Sequence, residues 1–248
     1  MKYPELKEKL LSLFDRQKLD SNPSEWAFYN ETGSEVKRIA YATNITPEVI
    51  GQAGEAGAEL LLTHHDAWDF VFGLRERCNL LLSRYGITHA FFHAVLDDAG
   101  FGTNSSLAAL TRLVNCRKII PYCNDCYCGV IGYLPQPLPF GEFAAHLSGI
   151  LHESVREYQN TPGPVHKICI ATGGGNMTND MKHAVDAGCD TYITGEYVLY
   201  SQQYAKLHTM NLLVGSHTNT EIHGVRSMVE LLADGTDVEI IKIKEPNY

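Results

Sequence analysis

The chain has 248 residues, of which 44% are hydrophobic and 20% charged, with a formal net charge of -9. This is the composition of an ordinary soluble globular protein, large enough for two joined lobes with a sizeable core. The acidic balance opposes broad, non-specific nucleic-acid binding, which depends on clustered Lys and Arg to displace counterions from phosphates, and leaves room only for a local basic pocket.

The opening "MKYPELKEKLLSLFDRQ" alternates charged and apolar residues at helical spacing and predicts a helix near Tyr3–Arg16. It lacks the continuous apolar run of a signal peptide, and no segment approaches the ~18 apolar residues of a membrane span. Seven cysteines make an odd count without the density of a secreted scaffold, so a reduced, cytoplasmic protein is expected.

After a polar loop, "VKRIAYATN" (Val36–Asn44) reads as a strand. A helix opened by "TPEVI" and the strand "AELLLTHH" follow. A long helix is expected across Trp68–Tyr85, then the strand "THAFFHAV" (Thr88–Val95) and a helix from Thr103 over "TNSSLAALTRLVN". The middle, Arg117–Pro139, is rich in β-branched, aromatic, Gly and Pro residues and predicts strands joining two halves. "FGEFAAHLSGILHESV" restarts the helical pattern. The second half then alternates the strands "KICIATGGG", "CDTYITGEY", "NLLVGSHT" and "VEIIKIK" with helices. Strands alternating with helices imply an α/β fold of largely parallel, mixed sheets.

The halves resemble each other. "AGAELLLTHH" (Ala56–His65) aligns without a gap on "AGCDTYITGE" (Ala187–Glu196), and His93 with Asp97 mirrors His217 with Glu221. We expect an internal duplication, giving two similar β/α lobes, approximately 1–125 and 126–248, in one compact unit with a metal site between them.

Three polar clusters fall at predicted strand ends: His64-His65, His93-x-x-x-Asp97 and His217-x-x-x-Glu221. In open α/β sheets ligands gather beyond the carboxyl ends of the strands, so the clusters can converge. Imidazole with carboxylate suits Zn, Fe, Mn or Co. A lone His-His pair is usually surface or satisfied core histidine; three clusters, each directly after an apolar strand, indicate a metal site. Adjacent histidines on a regular strand would point to opposite faces. Either the turn aims both rings inward or each serves a different metal. The set supplies enough ligands for two divalent ions, with one carboxylate bridging.

Other features are weaker. Cys123, Cys126 and Cys128 lack a fourth zinc ligand at suitable spacing and read as buried or edge-strand thiols. "ATGGGNMTND" (Ala171–Asp180) reads first as a tight turn needing glycine conformations, and second as a cleft wall that approaches a phosphate. Glu196, the counterpart of His65, either lines the same cleft or caps the next helix. His89, His183, His208 and His223 read as surface or capping residues.

In this order, "LLLTHHDAW", "HAVLDDAGFGTNSSLA", "GVIGYLPQPLPFGEFAAHL", "DAGCDTYITGEYVLYSQQYAKLHTMNLLVGSHTNTE" and "VEIIKI" resemble the dinuclear-metal-centre hexameric protein family. That family includes type-two GTP cyclohydrolase I and NGG-interacting-factor-like proteins. The resemblance places the metal ligands on His64, His65, Asp97, His217 and Glu221, with Glu221 bridging and His93 close by. It implies two divalent ions per subunit, a toroidal homohexamer and a small-molecule substrate of the nucleotide class, opened by water. His93 is then the candidate catalytic proton carrier, or a further ligand. Metal storage or delivery, or a scaffold with structural metals, is the alternative function. The sequence departs from the family pattern at Asp66 (usually Pro), at "HAVLD" (usually H-T-N-L-D), at Glu196 (usually Asp) and at Asn44 (commonly Asp).

Overall fold

The computed structural model describes residues 1–33 and 35–246. It opens with α1 (Tyr3–Ser12) and α2 (Arg16–Ser21). Pro4 lies in the first turn of α1, where its missing N–H costs nothing, and the Asp15 carboxylate caps α2 by accepting from Gln17 N. Next come β1 (Trp26–Tyr29), β2 (Arg38–Ala42), α3 (Pro47–Glu55), β3 (Leu60–Thr63), α4 (Leu74–Tyr85) and β4 (Thr88–Phe92). Two short helices, α5 (Ala94–Asp98) and α6 (Thr103–Leu110), lead into the hairpin of β5 (Val114–Pro121) and β6 (Tyr127–Leu138). The chain continues through α7 (Phe140–Leu151), β7 (Arg156–Tyr158), β8 (Val165–Ala171), α8 (Thr178–Asp186), β9 (Thr191–Thr194), α9 (Leu199–Leu207) and β10 (Asn211–Val214). It closes with α10 (His217–Ala233) and β11 (Glu239–Lys242).

The strands form two mixed sheets, ordered β1-β4-β3-β2-β11 and β5-β6-β8-β9-β10-β7. In the first, β2, β3 and β4 run parallel and β1 lies antiparallel on β4. In the second, β8, β9 and β10 run parallel and β7 lies antiparallel on β10. The same four-strand unit therefore occurs in each lobe, as the repeated sequence implies. Every residue of β3, β9 and β10 is buried, which is what a parallel strand covered on both faces requires.

The sheets do not part at one point of the sequence. β5 precedes residue 125 yet belongs to the second sheet, and β11 returns to the first. Between them, α10 leaves β10 of the second lobe and buries Ile222, Val225, Met228, Val229 and Leu232 in the first lobe's core, against residues such as Leu60, Leu62 and Phe92. Each such aliphatic side chain contributes about 1.5–3 kcal/mol. The helix thus fixes the second lobe's contribution to the site against the first lobe's strand ends.

Several elements differ from the sequence expectation. "WAFY" and "REY" are short, half-buried or exposed edge strands, β1 and β7, too brief to show alternation. The helix expected from Trp68 starts only at Leu74. Gly73 at its N-cap is left-handed (φ +85°), and Phe70 and Phe72 before it are 74% and 96% exposed, so no packing holds that stretch helical. The helix from Phe140 stops at Leu151, where His152 turns left-handed. Among the described residues no helix is long and apolar enough to cross a membrane.

Candidate metal centre

β3 ends at Thr63 because the next two backbone N–H groups, of His64 and His65, both donate to Thr43 O at 3.0 Å. That shared acceptor breaks the alternation of the strand. The two rings come to the same side, with centroids 4.6 Å apart. β4 ends one residue before His93, whose own N–H is taken by Glu25 O, and Asp97 follows one turn on in α5. His217 and Glu221 are one turn apart at the start of α10, which Ser216 caps by accepting from Asn219 N. All three clusters of the sequence converge.

They converge as two groups that share one carboxylate. His64, Asp97 and Glu221 bring one ligand atom each within 4.8 Å of one another, and so do His65, His217 and Glu221. His64 Nε2 lies 3.4 Å from Asp97 Oδ1 and 3.6 Å from Glu221 Oε1. His65 Nε2 lies 3.5 Å from Glu221 Oε2, and His217 Nε2 3.2 Å from Glu221 Oε1. A third group joins His93 to His64 and His65.

Every ring is held from behind. Nδ1 of His64 donates to Phe92 O (2.9 Å), that of His65 to Asn44 Oδ1 (2.8 Å), that of His93 to Glu25 Oε2 (2.6 Å) and that of His217 to Glu196 Oε1 (2.7 Å). With Nδ1 donating, a neutral ring presents the Nε2 lone pair inward, the usual arrangement of histidine ligands. The Thr103 hydroxyl holds Asp97 Oδ1 at 2.5 Å. His64 Nε2 and Glu221 Oε2 are buried without a hydrogen-bond partner. Orphaned atoms of this kind call for an explanation, and a cation between them provides one.

The electrostatics agree. Burial pushes the His64 imidazole down, but the Asp97 and Glu221 carboxylates prevail and hold it at about 9. His217 is likewise pushed down by burial and held at about 10 by Glu221 and Glu196. Burial, with the neighbouring imidazoles, takes His65 well below its ordinary value despite Glu221. Burial raises Asp97; Glu221 stays well below the usual carboxylate range because three histidines outweigh its own burial. The upward direction at His64 and His217 reflects the positive charge that these buried carboxylates call for. A divalent cation would supply it with better geometry.

Some contributors were not read from the sequence. Glu25, behind His93, comes from a segment read as loop, and its pairing is purely tertiary. Gly173 of the Gly-rich turn is left-handed (φ +62°). A Cβ there would fall 1.8 Å from Glu221 Oε1 and 2.8 Å from His217 Nε2. The tight turn and the wall of the site are therefore one feature. Glu196 precedes α9 and serves His217 instead of capping that helix. Asp66 accepts from the Tyr29 hydroxyl and from Arg75, which ties down the segment before α4. His89 corrects the sequence reading. It is buried, not superficial, with Nε2 on Thr63 Oγ1 at 2.8 Å. Cys123, Cys126 and Cys128 enter none of the candidate ligand groups among the described residues.

Beside the centre, between the lobes, opens a cavity of about 680 Å³ lined by His217, Trp68, Tyr197, Arg156, Glu48 and Glu153, among others. With fold and site in view, the comparison with known proteins is direct. The sequence model of Duf34/NIF3 (NGG1p interacting factor 3) matches residues 27–248. The chain belongs to the Duf34/NIF3 family. It is 27% identical over 225 residues to a Haemophilus influenzae protein named GTP cyclohydrolase 1 type 2 homolog, covering 87% of this chain and 88% of that one. A protein of the same name from Escherichia coli K12 is 26% identical, covering 86% and 85%. Among solved structures, protein ybgI, described as of unknown function, superposes with a TM-score of 0.84 at 26% identity, covering 100% of this chain and 99% of that one. TTHA1606 from Thermus thermophilus shares the fold with a TM-score of 0.82 at 22% identity, covering 99% of each chain.

Proposed function

We propose that this Duf34/NIF3 chain binds two divalent cations, among Zn, Fe, Mn and Co, and hydrolyses a nucleotide or related nitrogen heterocycle. The observation that carries the reading is Glu221, a carboxylate shared by two histidine-containing ligand groups with its Oε2 unpartnered. His64, Asp97 and Glu221 would hold one ion, and His65, His217 and Glu221 the other. Divalent ions so placed would supply Lewis acidity and a nucleophilic water near neutral pH.

The remaining chemistry falls to side chains. Glu25 fixes Nδ1 of His93 and leaves Nε2 to carry a proton between water and a leaving ring nitrogen, the arrangement of a base oriented by a carboxylate. Burial of His64, His65 and Glu221 excludes bulk water. The name shared by the Haemophilus and Escherichia relatives supports a GTP-like ring as substrate. The family resemblance supports a homohexamer, and the exposed apolar Phe70 and Phe72 before α4 offer a surface for its contacts.

The same burial favours a second reading, a non-catalytic metal store or scaffold. The test is to reconstitute the protein with each metal and screen nucleotides, nucleosides and pterins by product mass. The hydrolase reading expects a product heavier by one water, or its breakdown fragments. No turnover with any metal assigns the centre to storage or scaffolding.

A further inference from the structure

The cavity beside the centre is built against phosphate. A polyphosphate needs Lys or Arg side chains, or the free N–H groups of a helix N-terminus. Among the described lining residues the one Arg or Lys is Arg156, and its guanidinium lies over the Tyr197 ring, 4.5 Å from the centroid. Three helix N-termini border the cavity, and each carries one of the chain's own acids, Glu76 in the first turn of α4 among them. At α10, Glu153 accepts from Ser216 N at 2.6 Å and from Asn219 Nδ2 at 2.7 Å. At α3, Glu48 occupies the first turn behind the Thr46 cap. The charge of two divalent ions does not reverse this. Asp97, Glu221, Glu25 and Glu196 already stand against it, and Asp66 is paired with Arg75, leaving Glu48 and Glu153 in excess of Arg156.

The apolar part of the lining points to what does fit. Trp68 lines the cavity, is 37% exposed, and has its ring centroid 5.3 Å from that of His65 and 6.3 Å from that of His217. Phe70 stacks on it at 5.5 Å with an 18° interplanar angle, backing one face of the indole. A rigid aromatic at this distance from the candidate ligands is a platform for a flat ring.

We propose that this cavity takes a planar nitrogen heterocycle without phosphates (a free base, a nucleoside or a pterin), stacked on Trp68, and disfavours nucleoside triphosphates. The proposal refines the substrate class of the hydrolase reading and takes its location from it, but it is tested by binding alone.

The experiment is calorimetric titration of protein loaded with Mn or Zn, with guanosine, a pterin and GTP, and with metal content checked afterwards. Guanosine or the pterin should bind at least ~10-fold more tightly than GTP at low salt, with the gap narrowing as salt screens the carboxylates. Trp68→Ala should weaken guanosine or pterin binding by about 10-fold, the usual worth of one base–aromatic stack, and Trp68→Phe should restore part of it. Glu48→Gln should strengthen GTP binding by more than it changes guanosine binding. GTP binding as tightly as guanosine and the pterin overturns the proposal, as does an unchanged affinity in Trp68→Ala or no binding of any ligand. Tight guanosine or pterin binding without turnover upholds the subsite and sinks only the hydrolase reading. Turnover of tightly bound GTP does the reverse.

Discussion

Gly173 and Glu221 occupy one another's space: the Glu221 carboxylate lies where a Cβ at position 173 would be, 1.8 Å away. The Gly-rich turn between β8 and α8 and the carboxylate on α10 therefore form a single construction. Gly173→Ala meets two penalties, a left-handed backbone and a displaced buried carboxylate. We expect it to lower stability by more than about 1 kcal/mol and to reduce bound metal in the folded protein. Urea unfolding and elemental analysis on the same preparation check both. Wild-type metal content in the variant would separate the turn from the centre.

A second glycine sets the approach of the helices that hold the site. A Cβ at Gly224 would lie 2.3 Å from Thr103 N, a backbone atom of α6 that cannot easily move. Gly224→Ala should cost about 1–3 kcal/mol as overpacking. It should also disturb the Thr103 bond to Asp97. Gly51 in α3 has open space around its Cβ direction, and Gly51→Ala should instead add about 0.4–1 kcal/mol. Opposite signs in urea midpoints are the expected result.

His93→Gln tests the proton carrier. It keeps polarity and approximate size but cannot act as an acid or base near neutral pH. Where a substrate is turned over, we expect unchanged metal content and a loss in kcat on the order of 10²–10⁴. Glu25→Gln, which keeps an acceptor on Nδ1 but removes the charge, should show a smaller loss in the same direction. Metal lost with the His93 side chain would make it a ligand.

Burial holds the His89 imidazole down at about 4, below the ordinary value near 6.5. A histidine with a depressed folded pKa stabilises the fold above its unfolded pKa, and that contribution is lost as pH falls toward the folded value. Stability should therefore drop between pH ~6.5 and ~4, with up to about 3 kcal/mol from this group. His89→Gln should flatten the curve in that window. An unchanged slope in urea unfolding across those pH values would assign the acid sensitivity elsewhere, first to half-buried His223, which burial also lowers to about 4.

What the sequence revealed follows from where the information lies. His64, His65, Asp97, His217 and Glu221 each stand within seven residues of an apolar strand end, so local pattern places them beyond the carboxyl ends of strands. The repeat of "AGAELLLTHH" in "AGCDTYITGE" foreshadows the shared four-strand unit of the lobes. Glu25 was hidden because its bond to His93 spans 68 positions and its own segment has no periodicity. β1 and β7 were hidden as three- or four-residue edge strands. Trp68 was absorbed into a helix by its apolar neighbours, although Phe70 and Phe72 face outward and Gly73 delays the helix.

If the Glu221 carboxylate is shared by two ions, its removal must change the metal stoichiometry of both sites. Wild-type and Glu221→Ala protein, both confirmed as folded, are reconstituted with the same metal, desalted and analysed for bound ions per chain. Two ions are expected in the wild type and loss of most of both in the variant, because each of the two carboxylate-containing ligand groups includes Glu221. A wild type that holds no metal, or a folded variant that keeps both ions, would contradict that sharing.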